Sequence, residues 1–147
     1  SSFYSIYSFG TNSNQRVLWI EQSRVNTQIL YVQQLQSSKS VLWKTTDGGI
    51  TWSQVTLPLA NQKYLNFTLS GTDENGLWLS FTNGGNGSKI YYSDNGGTGW
   101  TNLTTAALNN FNIWSLAHQF GTNGGVYLAM KQGIVFYRNN NIQSKRM

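Results

Sequence analysis

The chain has 147 residues, 39% hydrophobic and 14% aromatic, with 15 glycines, one proline and no cysteine. That length can enclose one core, and the missing cysteines exclude a disulfide framework, a thiolate metal site and a cysteine nucleophile. The formal net charge of +5 comes from ten basic and five acidic residues, and the basic ones are spread so evenly along the sequence that they point to a solvated surface with no nucleic-acid partner.

Apolar runs such as residues 17–20 and 29–32 fall far short of the roughly 20 residues that cross a bilayer, so membrane insertion is not expected. A composition rich in Gly, Asn, Gln, Ser, Thr and aromatics favours short strands joined by turns, an all-β chain. Residues 3–9 (FYSIYSF) read as a strand ahead of the first repeating unit, either the outer strand of a preceding unit or one that closes a ring. Then come strand-like segments at 17–22 (VLWIEQ), 29–34 (ILYVQQ), 41–45 (VLWKT) and 52–57. The series repeats at 65–72, 77–83, 89–93 and 100–103, and a third copy starts at 112–119, 126–131 and 134–137 before running out. In place of a third turn, residues 138–143 (RNNNIQ) offer asparagines without Gly or Trp. A competing register starts the first unit at Phe3, encouraged by FGTN at 9–12 and again at 120–123, but it leaves one strand unexplained.

Strand starts about twelve residues apart fit an antiparallel meander, and four-stranded units of about 40–50 residues mark β-propeller blades. The expectation is therefore about three blades, at 16–58, 64–104 and an incomplete 111–147, with 1–10 as the closing or preceding strand. Rings close with about four to eight blades. The remaining blades must come from further chain or from further copies of this one, and the isolated chain is not expected to be a stable monomer.

Two turns stand in phase with the repeat: TTDGGITW at 45–52 and SDNGGTGW at 93–100. The first, Thr45-x-Asp47-x-Gly49-x-Thr51-Trp52, resembles the Asp-box or BNR repeat of sialidases, of endoglucanase and xyloglucanase propellers, of sortilin-type receptors and of a photosystem assembly factor. The second keeps Ser93, Gly97 and Trp100 but has Asn95 at the Asp place and Gly99 at the Thr place. A carboxylate in a tight turn accepts hydrogen bonds from backbone groups just beyond it, Gly supplies positive φ, and Asn can imitate the acceptor. The tryptophan then has a gap between neighbouring sheets to fill. Thr45, Asp47, Gly49, Thr51, Trp52, Ser93, Asn95, Gly97 and Trp100 read as structural staples, and the resemblance implies the same, placing such boxes between the third and fourth strands, away from the ligand face.

Catalytic readings find little support. Asp73 and Glu74, adjacent in a turn on the box side, diverge, whereas a glycosidase needs two carboxylates facing one sugar bond. Glu21, on a first strand, either faces a channel or is a solvated strand-end residue. The arginines 16, 24, 138 and 146 lack the Arg-Ile-Pro motif that accompanies the first sialidase arginine. His118 is the only histidine and forms no zinc or triad pattern. The Gly-rich stretch 82–89 joins two strands, not a strand and a helix, which rules out a P-loop. Three N-glycosylation sequons, at Asn66, Asn86 and Asn102, decide nothing in so Asn- and Ser/Thr-rich a chain. No catalytic residue, metal or cofactor is expected.

The loops opposite the boxes carry amides and aromatics: Asn61, Gln62, Tyr64, Asn83, Asn86, Asn110 and Phe111. Planar amides beside a ring suit sugar hydroxyls and C–H faces, or a polar peptide. The expected function is an extracellular or cell-surface binding module for carbohydrate or protein. The alternatives are the C-terminal part of an Asp-box glycoside hydrolase, its catalytic residues in blades outside this chain, and an assembly or scaffold factor.

Overall fold

The computed structural model describes residues 7–10, 12–120, 125–131, 133–138 and 141–145. The first unit folds as β1 (Gln15–Gln22), β2 (Leu30–Gln36), β3 (Lys39–Thr45) and β4 (Ser53–Val55), each hydrogen-bonded antiparallel to the next. The second repeats the meander as β5 (Leu65–Leu69), β6 (Leu77–Phe81), β7 (Ile90–Ser93) and β8 (Thr101–Asn102). A 3-10 turn, Ala106–Leu108, leads into β9 (Ile113–His118), β10 (Val126–Met130), β11 (Gly133–Arg138) and β12 (Asn141–Lys145), again in sequential order.

The third unit therefore does not run out after Tyr137. Arg138 pairs with Asn141 across two intervening residues, and β12 continues to Lys145. A direct hairpin replaces the long Gly- and Trp-bearing turn, so the fourth strand arrives about five residues sooner than in the other units and carries one apolar side chain, Ile142. Residues 3–6 of the expected leading strand, and most of the second FGTN, lie outside the described residues, while 7–10 are not in a strand.

The three sheets stack face to face, and the period-2 alternation sorts residues between two cores. Tyr31 and Leu42 of the first sheet meet Leu65, Phe67, Leu69, Leu77, Leu79, Phe81 and Tyr91 of the second. The other face of the second sheet, Trp78 and Ile90, packs on Ile113, Val126 and Leu128 of the third, with Leu108 beneath. Because the middle sheet is covered on both sides, β6 (LWLSF) is buried at every position, the pattern of a doubly packed strand. Burial of each large side chain there contributes about 1.5–3 kcal/mol. Between sheets, β5 lies beside both β1 and β9, so the first strands of the three units converge on one axis.

Part of the outer face of the first sheet is covered by the chain itself, while Val17 and Ile20 of β1 stay exposed. Phe9 packs its ring 5.5 Å from Trp43 and 5.0 Å from Trp52, and its carbonyl accepts a 2.8 Å bond from Gln34 Nε2.

Candidate functional site

The meander sends connections alternately to two ends of the stack. One end holds the 45–52 and 93–100 turns and the β1–β2 and β5–β6 loops; the other holds the β2–β3 and β6–β7 loops and the links between sheets.

At the first end, both turns use one hydrogen-bond scheme. Thr45 Oγ1 donates to Asp47 Oδ1 at 2.7 Å and accepts from Gly49 N at 3.0 Å. Asp47 in turn accepts from Thr51 N at 2.9 and 3.1 Å and from the Thr51 hydroxyl at 2.5 Å. In the second turn Ser93 Oγ donates to Asn95 Oδ1 at 2.8 Å and accepts from Gly97 N at 2.8 Å, while Gly99 N donates to Asn95 Oδ1 at 2.8 Å. With glycine at position 99 no hydroxyl replaces that of Thr51. The Thr51 hydroxyl and N–H, followed by Thr45, hold the Asp47 carboxyl down at about 2. A carboxylate that accepts this many bonds is stabilised in its charged form.

The two tryptophans differ in partner. Trp52 Nε1 donates back to Gly49 O at 2.9 Å, whereas Trp100 Nε1 crosses to Thr56 O, just past the end of β4, at 2.8 Å. The first sheet reaches the second turn elsewhere too: the Tyr31 hydroxyl and Lys44 Nζ both donate to Gly96 O, at 3.1 and 3.3 Å. Burial raises the Tyr31 hydroxyl pKa well above the ordinary range and lowers that of Lys44. Asp73 and Glu74 do diverge, the first accepting from Asn75 N and the second from Asn26 Nδ2.

Along the axis the first strands frame an open cleft of about 580 Å³. Trp19 of β1, Tyr64 just before β5 and Trp114 of β9 line it with rings 57%, 52% and 57% exposed. Gln33, Lys63, Asn66, Thr82 and Asn83 supply its polar lining. The amide nitrogens of Gln33 and Asn66 are spent inside the protein, on Ser40 Oγ and on Thr82 Oγ1 and Ile113 O. Their carbonyl oxygens remain for the cleft. Lys63 Nζ stands 5.3 Å from the Tyr64 ring centre at the rim.

Glu21 also lines this cleft, and it is tied to its neighbours. Its Oε1 accepts from Thr68 Oγ1 at 3.2 Å and Leu69 N at 3.0 Å. His118 Nδ1 lies 3.2 Å from the Thr68 hydroxyl and 3.8 Å from Glu21. With its one proton given to Glu21, that hydroxyl accepts from His118 Nδ1–H. One residue from each first strand thus joins β1, β5 and β9.

Of the loop residues singled out from sequence, Tyr64 and Asn83 line the cleft. Asn61, Gln62, Asn86, Asn110 and Phe111 do not: Asn61, Asn86 and Asn110 are exposed, and Gln62 and Phe111 half-buried. Sequence reasoning missed Trp19, Trp114, Gln33 and Asn66 because it searched loops, and these sit on strands. The readable signal was a tryptophan in the first strand of two units, positions that stacked meanders turn toward their axis.

No family model matches the chain, and no curated protein is similar to it. Solved structures are. The xyloglucanase of glycoside hydrolase family 74 from Xanthomonas campestris superposes with a TM-score of 0.62 at 13% identity, over 86% of this chain and 23% of that one. The family 74 enzyme of Niastella koreensis gives 0.60 at 16% identity, over 87% and 22%. The chain is built of β-propeller blades. A third propeller, YCF48 bound to D1 peptide, matches with a TM-score of 0.60 at 17% identity, over 97% of this chain and 48% of that chain. This chain spans less than a quarter of either enzyme and about half of YCF48, as expected of part of a larger propeller.

Proposed function

We propose that the chain is a binding module, a partial propeller that recognises carbohydrate or protein in the cleft between its first strands. The observation that carries this reading is the cleft lining: three exposed rings that stack on no other aromatic side chain among the described residues, interleaved with amide oxygens fixed by internal hydrogen bonds. Rigid walls of this kind cost little ordering on binding. The one carboxylate in the lining, Glu21, is engaged by Thr68 and Leu69, and Asp73 and Glu74 belong to the other end, which supports recognition over hydrolysis by these residues. The two Trp-bearing turns are Asp-boxes acting as staples, with Asp47 and Asn95 in the same role. A secreted or cell-surface setting suits such a module.

A glycan and peptide array, paired with an assay for reducing-sugar release, tests the proposal. Binding without release is the expected result. Release of sugar by this chain alone would overturn it. Part of a glycoside hydrolase is the second reading, favoured by the likeness to two family 74 enzymes; catalytic carboxylates would then lie in blades beyond the described residues. An assembly role is favoured by the likeness to YCF48, a propeller solved with a bound peptide.

A further inference from the structure

Folding sorts charges that the sequence disperses. Arg16, Lys39, Lys63, Lys89 and Lys131 all lie at the end opposite the Trp-bearing turns, on strand starts or in loops there, and the pairing of Ile134 with Lys145 brings the end of β12 to the same place. Among the described residues no Asp or Glu stands at that end. All five acidic residues, Glu21, Asp47, Asp73, Glu74 and Asp94, occupy the other half together with Arg24, Lys44 and Arg138. Arg16, Lys39, Lys63 and Lys131 are exposed, while Lys89 is buried. The four exposed ones, unopposed by acid among the described residues, make this end a positive field, strongest on a polyvalent anion and sensitive to salt.

The aromatic cleft opens at this same end, since Lys63, Tyr64 and Asn83 belong both to its rim and to the positive loops. Charge alone would fit any polyanion. The exposed rings narrow the class, because Trp19, Tyr64 and Trp114 present apolar faces on which the C–H faces of pyranose rings stack, and the Asn66 and Gln33 oxygens accept from sugar hydroxyls. A polyglutamate-like peptide has the charge without the rings, and a neutral glycan has the rings without the charge.

We propose that this end binds an acidic polysaccharide, with uronate carboxylates paired to Lys63 and its neighbours while the sugar rings lie on Trp19, Tyr64 and Trp114. The inference rests on the binding-module reading and adds the ligand class to it.

The test is a tryptophan-fluorescence titration with three probes of equal length: oligogalacturonate, its methyl ester and oligoglutamate, at low salt. Oligogalacturonate is expected to bind at least ten-fold more tightly than either of the others. Its affinity should drop as salt rises and the Debye length contracts from about 10 Å at 0.1 M to about 3 Å at 1 M. Lys63→Gln should weaken it about two- to five-fold, the size of one exposed ion pair, and the combined Lys39, Lys63 and Lys131→Gln variant more than ten-fold. Arg24→Gln, at the other end, should leave it unchanged. Equal binding of the methyl ester would overturn the inference and leave the binding-module reading standing. Tighter binding of oligoglutamate, or of a duplex DNA added as a fourth probe, would overturn the glycan class. Failure of all four would remove the inference, and loss of every signal on the array as well would remove the binding reading with it.

Discussion

Gly97 is where turn and sheet stacking meet, and three glycine substitutions separate what holds it. Its φ is +88°, and an added Cβ would lie 2.6 Å from Val55 Cγ1 in the neighbouring sheet. Gly87 has a similar φ of +78°, but a Cβ there meets nothing within 4 Å; Gly85 has neither constraint. An alanine held at left-handed φ costs about 1–2 kcal/mol, and overpacking a core contact adds about 1–3 kcal/mol. Stiffening the unfolded chain returns about 0.4–1 kcal/mol in each variant. Gly85→Ala should therefore be neutral or slightly stabilising, Gly87→Ala should cost about 1 kcal/mol, and Gly97→Ala about 2–4 kcal/mol. In urea titrations at fixed protein concentration, with a slope of about 2 kcal/mol per M, the midpoint should fall by about 0.5 M for Gly87→Ala and about 1–2 M for Gly97→Ala. Val55→Ala in the Gly97→Ala background should recover the packing part, seen as about 1–3 kcal/mol of coupling in a double-mutant cycle. If Gly97→Ala is no worse than Gly87→Ala, or the cycle shows no coupling, the second turn does not press on the first sheet and the stacking is wrong.

The low Asp47 pKa makes its contribution depend on pH. The folded value, about 2, lies below that of an unfolded Asp. Its stabilisation is therefore complete above about pH 4 and lost as pH falls through about 2. The difference in urea midpoint between the parent and Asp47→Asn should close across that interval, and a constant difference from pH 6 to pH 2 would show that the carboxylate is not held as described. Trp100→Phe removes the 2.8 Å bond to Thr56 O and should cost about 1–2 kcal/mol, measured by the same titration; an unchanged midpoint would mean the indole ties no sheets together.

Much of the fold was legible because strand rhythm and turn chemistry agree. β2 and β3 appear in sequence as alternating apolar runs, and both Gly- and Trp-bearing turns sit in the connection between third and fourth strands. The second unit's first strand was read three residues too long, to Thr72. Ser70 Oγ accepts from the N–H groups of Thr72 and Asp73 at 3.2 Å and bends the chain after Leu69, a local competition that apolar periodicity does not register. β12 was invisible for the opposite reason: NIQSK has almost no apolar content, and its pairing with β11 is a backbone matter. The cleft was half legible. Tyr64 and Asn83 announced themselves as loop residues, but Trp19 and Trp114 become lining only once three first strands share an axis. Most hidden was the charge distribution, since even spacing in sequence combined with an up-and-down meander delivers like charges to one end.

The two ends of the row of sheets are not equivalent neighbours. Phe9 already occupies the place where a sheet would stack in front of the first one, with Trp43 and Trp52 against its ring. On the last sheet, Tyr127 and Ile134 remain 41% and 45% exposed. Adding a blade in front must first evict an aromatic side chain from its seat.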